Sequence, residues 1–144
     1  MFNLFKKNYK PLQEYQESWF TLEEKNKGLL IRVNGGLKDA VGRTEYPIKV
    51  GIAVPAKPES DIHTIKNSME GSLGEIWKEN DNGTIVAVII GMAEPRFIEL
   101  LSYAKKNTDF GSLHTKLKEK FSAEDVQMYV EQDSNWDTYK SFLK

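Results

Sequence analysis

Arg32 and Asn34 stand two residues apart in Leu29-Leu30-Ile31-Arg32-Val33-Asn34. On an extended strand that spacing projects both side chains, with Leu30, from one face. A guanidinium beside a carboxamide can hold a carboxylate or a phosphate through paired hydrogen bonds. The competing assignment is structural: Arg32 pairs with Glu23 across a hairpin and closes the sheet edge. Cross-strand ion pairs are common, so that assignment is preferred. Asp133, Trp136 and Tyr139 form a second group. Asp133 suits a helix N-cap, and residues three apart share a helix face. Trp136 and Tyr139 then make either a peptide-docking surface or, the preferred reading, the seam that holds a terminal helix on a sheet.

Other reactive residue types lack a directing pattern. His63 and His114 fall on two predicted helices but outside any HExxH arrangement, and both are expected to be solvated. Gly35-Gly36 leads into Leu37-Lys38-Asp39 without a Walker lysine, so the pair reads as a turn or bulge rather than a phosphate cradle. No serine lies in a GxSxG context. Glu23-Glu24, Glu124-Asp125 and Asp133 with Asp137 are carboxylate pairs best assigned to helix caps and solvated faces. Lys105, Lys106, Lys116, Lys118 and Lys120 concentrate positive charge, but Glu119, Glu124 and Asp125 dilute it. Phe97 and Tyr103 share a strand face with Glu99 between them, which is a poor base-stacking surface. No metal or cofactor is expected, nucleic acid is a disfavoured partner, and catalysis is left open with the preference against it.

Composition narrows the classes further. The chain has 144 residues, 40% of them hydrophobic, with three Trp, six Tyr and seven Phe, enough for an ordered core. A net charge of -1 supplies no global field toward nucleic acid or anionic lipid. The absence of cysteine removes disulfides, thiolate metal sites and a Cys nucleophile, and fits a reducing compartment. Met1 to Lys7 lacks the apolar stretch of a signal peptide, and Ile85 to Ile90 is far short of the roughly 20 residues of a membrane-spanning helix. A cytoplasmic location without a membrane partner is therefore expected. Phe2, Leu4, Phe5, Lys6 and Lys7 are read as a loose terminus rather than a membrane contact.

The elements follow from periodicity and punctuation. Ser18 to Lys25 and Leu29 to Asn34 form a predicted hairpin about Lys25-Asn26-Lys27-Gly28. The polar stretch from Lys38 to Glu45 reads as a loop, and Tyr46 to Val54 as a third strand. Ser60 or Asp61 caps a helix striped by Ile62, Ile65, Met69, Leu73 and Ile76. Gly71 and Gly74 each weaken that helix by roughly 1 kcal/mol relative to Ala and are expected to permit close approach to the sheet. Asp81-Asn82-Gly83 closes it. Thr84 to Met92 is apolar on both faces, as in a buried strand, and Arg96 to Ala104 is a fifth strand. Thr108 or Asp109 caps a second helix through Phe110, Leu113, Leu117 and Phe121. Asp125 to Glu131 is a sixth strand, and a short helix runs from Asp133 or Ser134 through Trp136, Tyr139, Phe142 and Leu143. The order predicts residues 1–17 as an N-terminal segment and 18–144 as one α+β domain. Its antiparallel sheet has a ferredoxin-like β-α-β-β-α-β core, preceded by a β-hairpin and followed by a short C-terminal helix.

Four stretches together resemble the bacterial domain of unknown function numbered 695. They are Trp19 with Gly28-Leu29-Leu30-Ile31-Arg32-Val33-Asn34; Tyr46-Pro47-Ile48-Lys49-Val50; Arg96-Phe97-Ile98-Glu99 with Tyr103; and Glu131-Gln132-Asp133-Ser134-Asn135-Trp136-Asp137-Thr138-Tyr139, ending in Phe142-Leu143. Ser134 and Ser102 stand where that family often carries Pro and an aromatic. The resemblance spans Trp19 to Leu143 and implies no established activity. A more distant, fold-level similarity is to the type B regulators of ribonuclease E activity, which act by binding an enzyme. The expected function is a non-catalytic binding or regulatory domain working through protein contacts, with a homo-oligomer left open. The alternative is a small-molecule or nucleotide-binding domain, or an enzyme, built on Arg32 and Asn34 with acids of the C-terminal motif.

Overall fold

A computed structural model describes residues 11–143; the Phe2 to Lys7 cluster lies outside them. Six strands form one sheet: β1 Trp19–Glu24, β2 Leu29–Asn34, β3 Ile48–Pro55, β4 Gly83–Gly91, β5 Phe97–Ala104 and β6 Gln127–Gln132. Their order is β1-β2-β4-β5-β3-β6, and every neighbouring pair is antiparallel. Helix α1 (Ile62–Asn80) joins β3 to β4, α2 (Phe110–Lys120) joins β5 to β6, and α3 (Asp137–Ser141) follows β6. The expected α+β class and antiparallel sheet hold, as do the leading hairpin and the short terminal helix.

Local chemistry sets the boundaries. The Asp61 carboxylate accepts from the amides of His63 and Thr64, and that of Asp109 from Ser112, so each satisfies donors that a helix start leaves free. Asp81 ends α1 in the left-handed region at φ 48. β3 starts at Ile48 rather than Tyr46, because Tyr46 turns away into the core on the opposite side of the sheet. The stretch expected to be a polar loop begins as a 3-10 helix, Gly35–Ala40, whose Leu37 and Ala40 are buried. Gly36 is required there: a Cβ would lie 1.8 Å from the carbonyl oxygen of Gln16.

Both faces of the sheet are buried. One packs α1 and α2 onto Val50, Ile52, Val54, Val88, Ile90, Ile98 and Leu100. Trp77 of α1 covers Gly83 and donates its Nε1–H to the buried Ser102 hydroxyl at 2.9 Å. The other face holds Ile31, Val33, Leu101 and Tyr103 under Leu12, Leu37, Tyr46, Trp136 and Tyr139. A bulge in β4 between Ile85 and Ala87 turns the adjacent Val86 and Ala87 into this second core.

The glycines of α1 correct one expectation. Gly71 and Gly74 do not seat the helix on the sheet; an added Cβ at either would meet nothing within 4 Å. Close approach occurs instead at Gly51, where a Cβ would lie 2.0 Å from the Tyr129 ring. Gly51→Ala is expected to destabilise the fold by about 2 kcal/mol through overpacking, read as a lower urea midpoint at unchanged slope.

Candidate functional site

The hairpin register sets the surroundings of Arg32. Thr21 stands opposite it, which leaves Trp19 and Glu23 as the two diagonal neighbours on the same face. The guanidinium lies over the Trp19 ring, 5.3 Å from its centroid, within cation–π range. Glu23 stays exposed, and among the described residues Arg32 makes no ion pair. The preferred Arg32–Glu23 pairing is therefore corrected: the indole offers a flat apolar surface for the long side chain, which a solvated carboxylate near the turn does not. Glu17 accepts from the Trp19 Nε1–H at 3.2 Å and fixes the ring.

Arg32 lines a groove between β2 and α1, together with Lys66, Asn67, Glu70, Gly71, Gly74, Glu75 and Lys78. This groove continues into a cleft of about 390 Å3 reaching Trp19, Asn34 and Leu37, with Glu70, Gly74 and Lys78 common to both. Lys66 is nearly buried and held by Glu70 at 3.0 Å, one helical turn on. Asn34 is 4% exposed. Its Oδ1 accepts from the backbone amides of Ser18 and Gly36, at 3.1 and 3.0 Å, which fixes the orientation of the amide group. Its Nδ2 donates no hydrogen bond among the described residues. Arg32 thus lines the groove and Asn34 the adjoining cleft.

The C-terminal group is directed inward. Trp136 is fully buried, stacked on Tyr103 with centroids 4.4 Å apart, and donates its Nε1–H to the Tyr46 carbonyl at 2.9 Å. Tyr139 meets Trp136 edge-on and donates its hydroxyl to the Asn34 carbonyl at 2.6 Å. Asp133 accepts from the Tyr103 hydroxyl at 2.6 Å and from the amides of Asp137 and Thr138. Trp136 holds φ 57, a conformation costing an L-residue about 1–2 kcal/mol. Burial of the indole, its stack and its hydrogen bond together outweigh that cost. The helix proper begins one residue later, so Asp133 caps it across a turn.

Burial pushes the Asp133 carboxyl upward, but the hydrogen bonds from Tyr103 and two amides, with the charge of Lys49, outweigh it and hold the group below the usual carboxylate range. Burial raises the hydroxyls of Tyr103 and Tyr139, that of Tyr139 to about 12. Arg32 lies on β2 and Glu131 on β6, four strand spacings apart, or about 19 Å. The Arg32 groove and the C-terminal acids therefore do not converge. Asn34 is the link between the two regions, with its side chain toward the groove and its carbonyl bound to Tyr139.

His63 is exposed as expected, whereas His114 is half-buried with its Nε2 2.8 Å from the Val126 carbonyl. That contact corrects its assignment as solvated. Among the described residues no group of three or more His, Asp or Glu is arranged to hold a metal ion, and no helix is long and apolar enough to cross a membrane. Trp19, Lys66, Glu70 and Lys78 were not legible as site residues, because the approach of α1 to the hairpin joins segments more than 30 residues apart. The Trp19–Arg32 diagonal was available from the hairpin register alone. Comparison of the chain with protein-family models, curated proteins and solved structures finds no match.

Trp136→Ala is expected to cost about 4 kcal/mol, measured by urea denaturation; an unchanged midpoint would remove the seam from the stability of the fold. Folding holds the Tyr139 phenol neutral, so its contribution is full below the ordinary value of 10 and is lost as pH rises through about 12. The thermal midpoint should fall over that window. In Tyr139→Phe it should start lower at pH 7 and fall less steeply.

Proposed function

We propose that this protein is a non-catalytic binding domain acting through protein–protein contacts, with the β1–β2 hairpin and α1 as its docking side. The observation that carries this reading is the Arg32 guanidinium: it rests on Trp19 in an open groove, without a counter-anion among the described residues. A guanidinium held on an aromatic ring can pair with a partner's carboxylate through two hydrogen bonds. The C-terminal acids lie on the far side of the sheet, so they do not join Arg32 around a single compact ligand. That separation weighs against a nucleotide or metabolite pocket built from both groups.

Two finer assignments accompany the proposal. The central four strands stand in the order β4-β5-β3-β6, with α1 and α2 each crossing over one intervening strand on the same face. This arrangement supports a ferredoxin-like core extended by the hairpin at one edge. The Trp19, Arg32, Arg96, Asp133, Trp136 and Tyr139 positions support membership of the family of domain of unknown function 695, acting in the cytoplasm as a regulator in the manner of proteins that bind an enzyme.

Arg32→Ala should leave the far-ultraviolet circular dichroism and the cooperative unfolding transition intact. It should lose, by tenfold or more in affinity, a protein partner that the wild type captures stoichiometrically from bacterial lysate. Equal capture by variant and wild type would end the assignment of Arg32. A small molecule retained in native mass spectrometry, with no protein captured, would replace this reading with a pocket.

A further inference from the structure

We infer that the cleft beside Asn34 binds a small zwitterion of the class of free α-amino acids, whose carboxylate accepts from the Asn34 Nδ2–H. The inference goes beyond the protein-binding reading above and does not rest on it, because Asn34 and not Arg32 carries it. Asn34 is 4% exposed, and its Oδ1 is committed to the backbone amides of Ser18 and Gly36 at 3.1 and 3.0 Å. Two donors on the oxygen fix which way the amide points. The Nδ2 has no partner among the described residues, yet it is not sealed from solvent. The open space beside Asn34 is the cleft of about 390 Å3 that it lines, a size suited to a small molecule. A donor immobilised by the fold offers an acceptor a fixed point at little cost in ordering.

The charged residues of the cleft decide the class of ligand. Glu17, Glu70 and Lys78 line it, and Glu70 is already paired with Lys66 at 3.0 Å. Glu17 and Lys78 remain, opposite in sign, and neither makes an ion pair among the described residues. A simple anion would meet Lys78 and Asn34 but also Glu17; a simple cation would leave both donors without an acceptor. A zwitterion matches all three groups. Glu17 accepts from the Trp19 Nε1–H at 3.2 Å and keeps further acceptor capacity for an ammonium. Leu12, Trp19 and Leu37 complete the lining with apolar surface.

Helix α1 leaves room on this side. Glu70, Gly74 and Lys78 recur at intervals of four and so share one face of the helix. Gly74 stands between the two charged residues, and an added Cβ there would meet nothing within 4 Å. The fold gives this helix-weakening residue no packing role, whereas a larger side chain would take up part of the cleft that it lines.

The test titrates each standard L-α-amino acid singly into the full chain and follows the Trp19 indole and Gly74 amide signals by NMR. At least one should shift both signals. It should bind at least tenfold more tightly than its N-acetyl derivative, which lacks the cation, and than its carboxamide, which lacks the anion. Asn34→Asp keeps an oxygen for the Ser18 and Gly36 amides but replaces the Nδ2–H with an acceptor, and should weaken that amino acid at least tenfold. Gly74→Leu should raise the thermal midpoint by roughly 3 °C yet weaken the same amino acid at least tenfold. Those opposite signs separate a filled cleft from a damaged fold. The inference falls if no amino acid moves these signals, or if the N-acetyl derivative or the carboxamide binds as tightly as the free amino acid. It also falls if a folded Asn34→Asp binds normally, or if Gly74→Leu binds normally or melts lower. Should Asn34→Asp fail to fold, Gly74→Leu decides.

Discussion

A sheet that is apolar on both faces must be covered twice, and the rest of this structure follows from how the second cover is made. The first cover is conventional: α1 and α2 lie on one face over β3, β4 and β5. The second has no long helix. It is assembled from the segment around Leu12, the 3-10 helix after β2, the stretch to Tyr46 and the five-residue α3. Pieces this short bury little area each, so they must be tied to one another as well as to the sheet. Tyr139 ties α3 to the end of β2, Trp136 ties it to Tyr46, and Asp133 ties it to β5 through Tyr103.

These ties commit the C-terminal group to the interior of the molecule. The sequence reading preferred for Asp133, Trp136 and Tyr139, a cap and a helix seam rather than a docking surface, agrees with the structure, where their hydrogen-bonding atoms are occupied within the molecule. Displacing any of them to greet a partner would leave buried polar groups unpaired, at roughly 1–3 kcal/mol each. Arg32 and the Nδ2 of Asn34 carry no such commitment. The hairpin adds two strands beyond the part of the sheet that α1 covers, and beside this overhang lie the groove lined by Arg32 and the cleft lined by Asn34.

Most of the fold was legible because its signals are local. The Asp61 and Asp109 caps, the turn at Gly28 and the two-sided hydrophobicity of Thr84 to Met92 each specify an element within a few residues. The groove was less legible because it depends on long-range placement. Strand alternation correctly put Arg32 and Asn34 on one face, but it could not decide between Trp19 and Glu23 as neighbour, nor bring α1 alongside. Gly71 and Gly74 show the same limit. Their cost to a helix can be read from residue type, whereas whether a neighbour or open space faces them depends on the tertiary arrangement.

The two sides of the molecule are therefore energetically complementary. The seam side concentrates large buried aromatics, each worth several kcal/mol on removal, and accepts a left-handed Trp136 because its contacts more than offset the strain. The groove side carries terms of the opposite sign: two helical glycines, a nearly buried lysine held by one carboxylate, and an arginine without a counter-ion. Local features that oppose stability persist where the remainder of the fold exceeds the threshold for folding and where something other than stability favours them. On the seam side every unusual feature is accounted for by packing within the chain. On the groove side the internal partners are fewer: Lys66 has Glu70, Arg32 has the Trp19 ring, and Gly71 and Gly74 face open space.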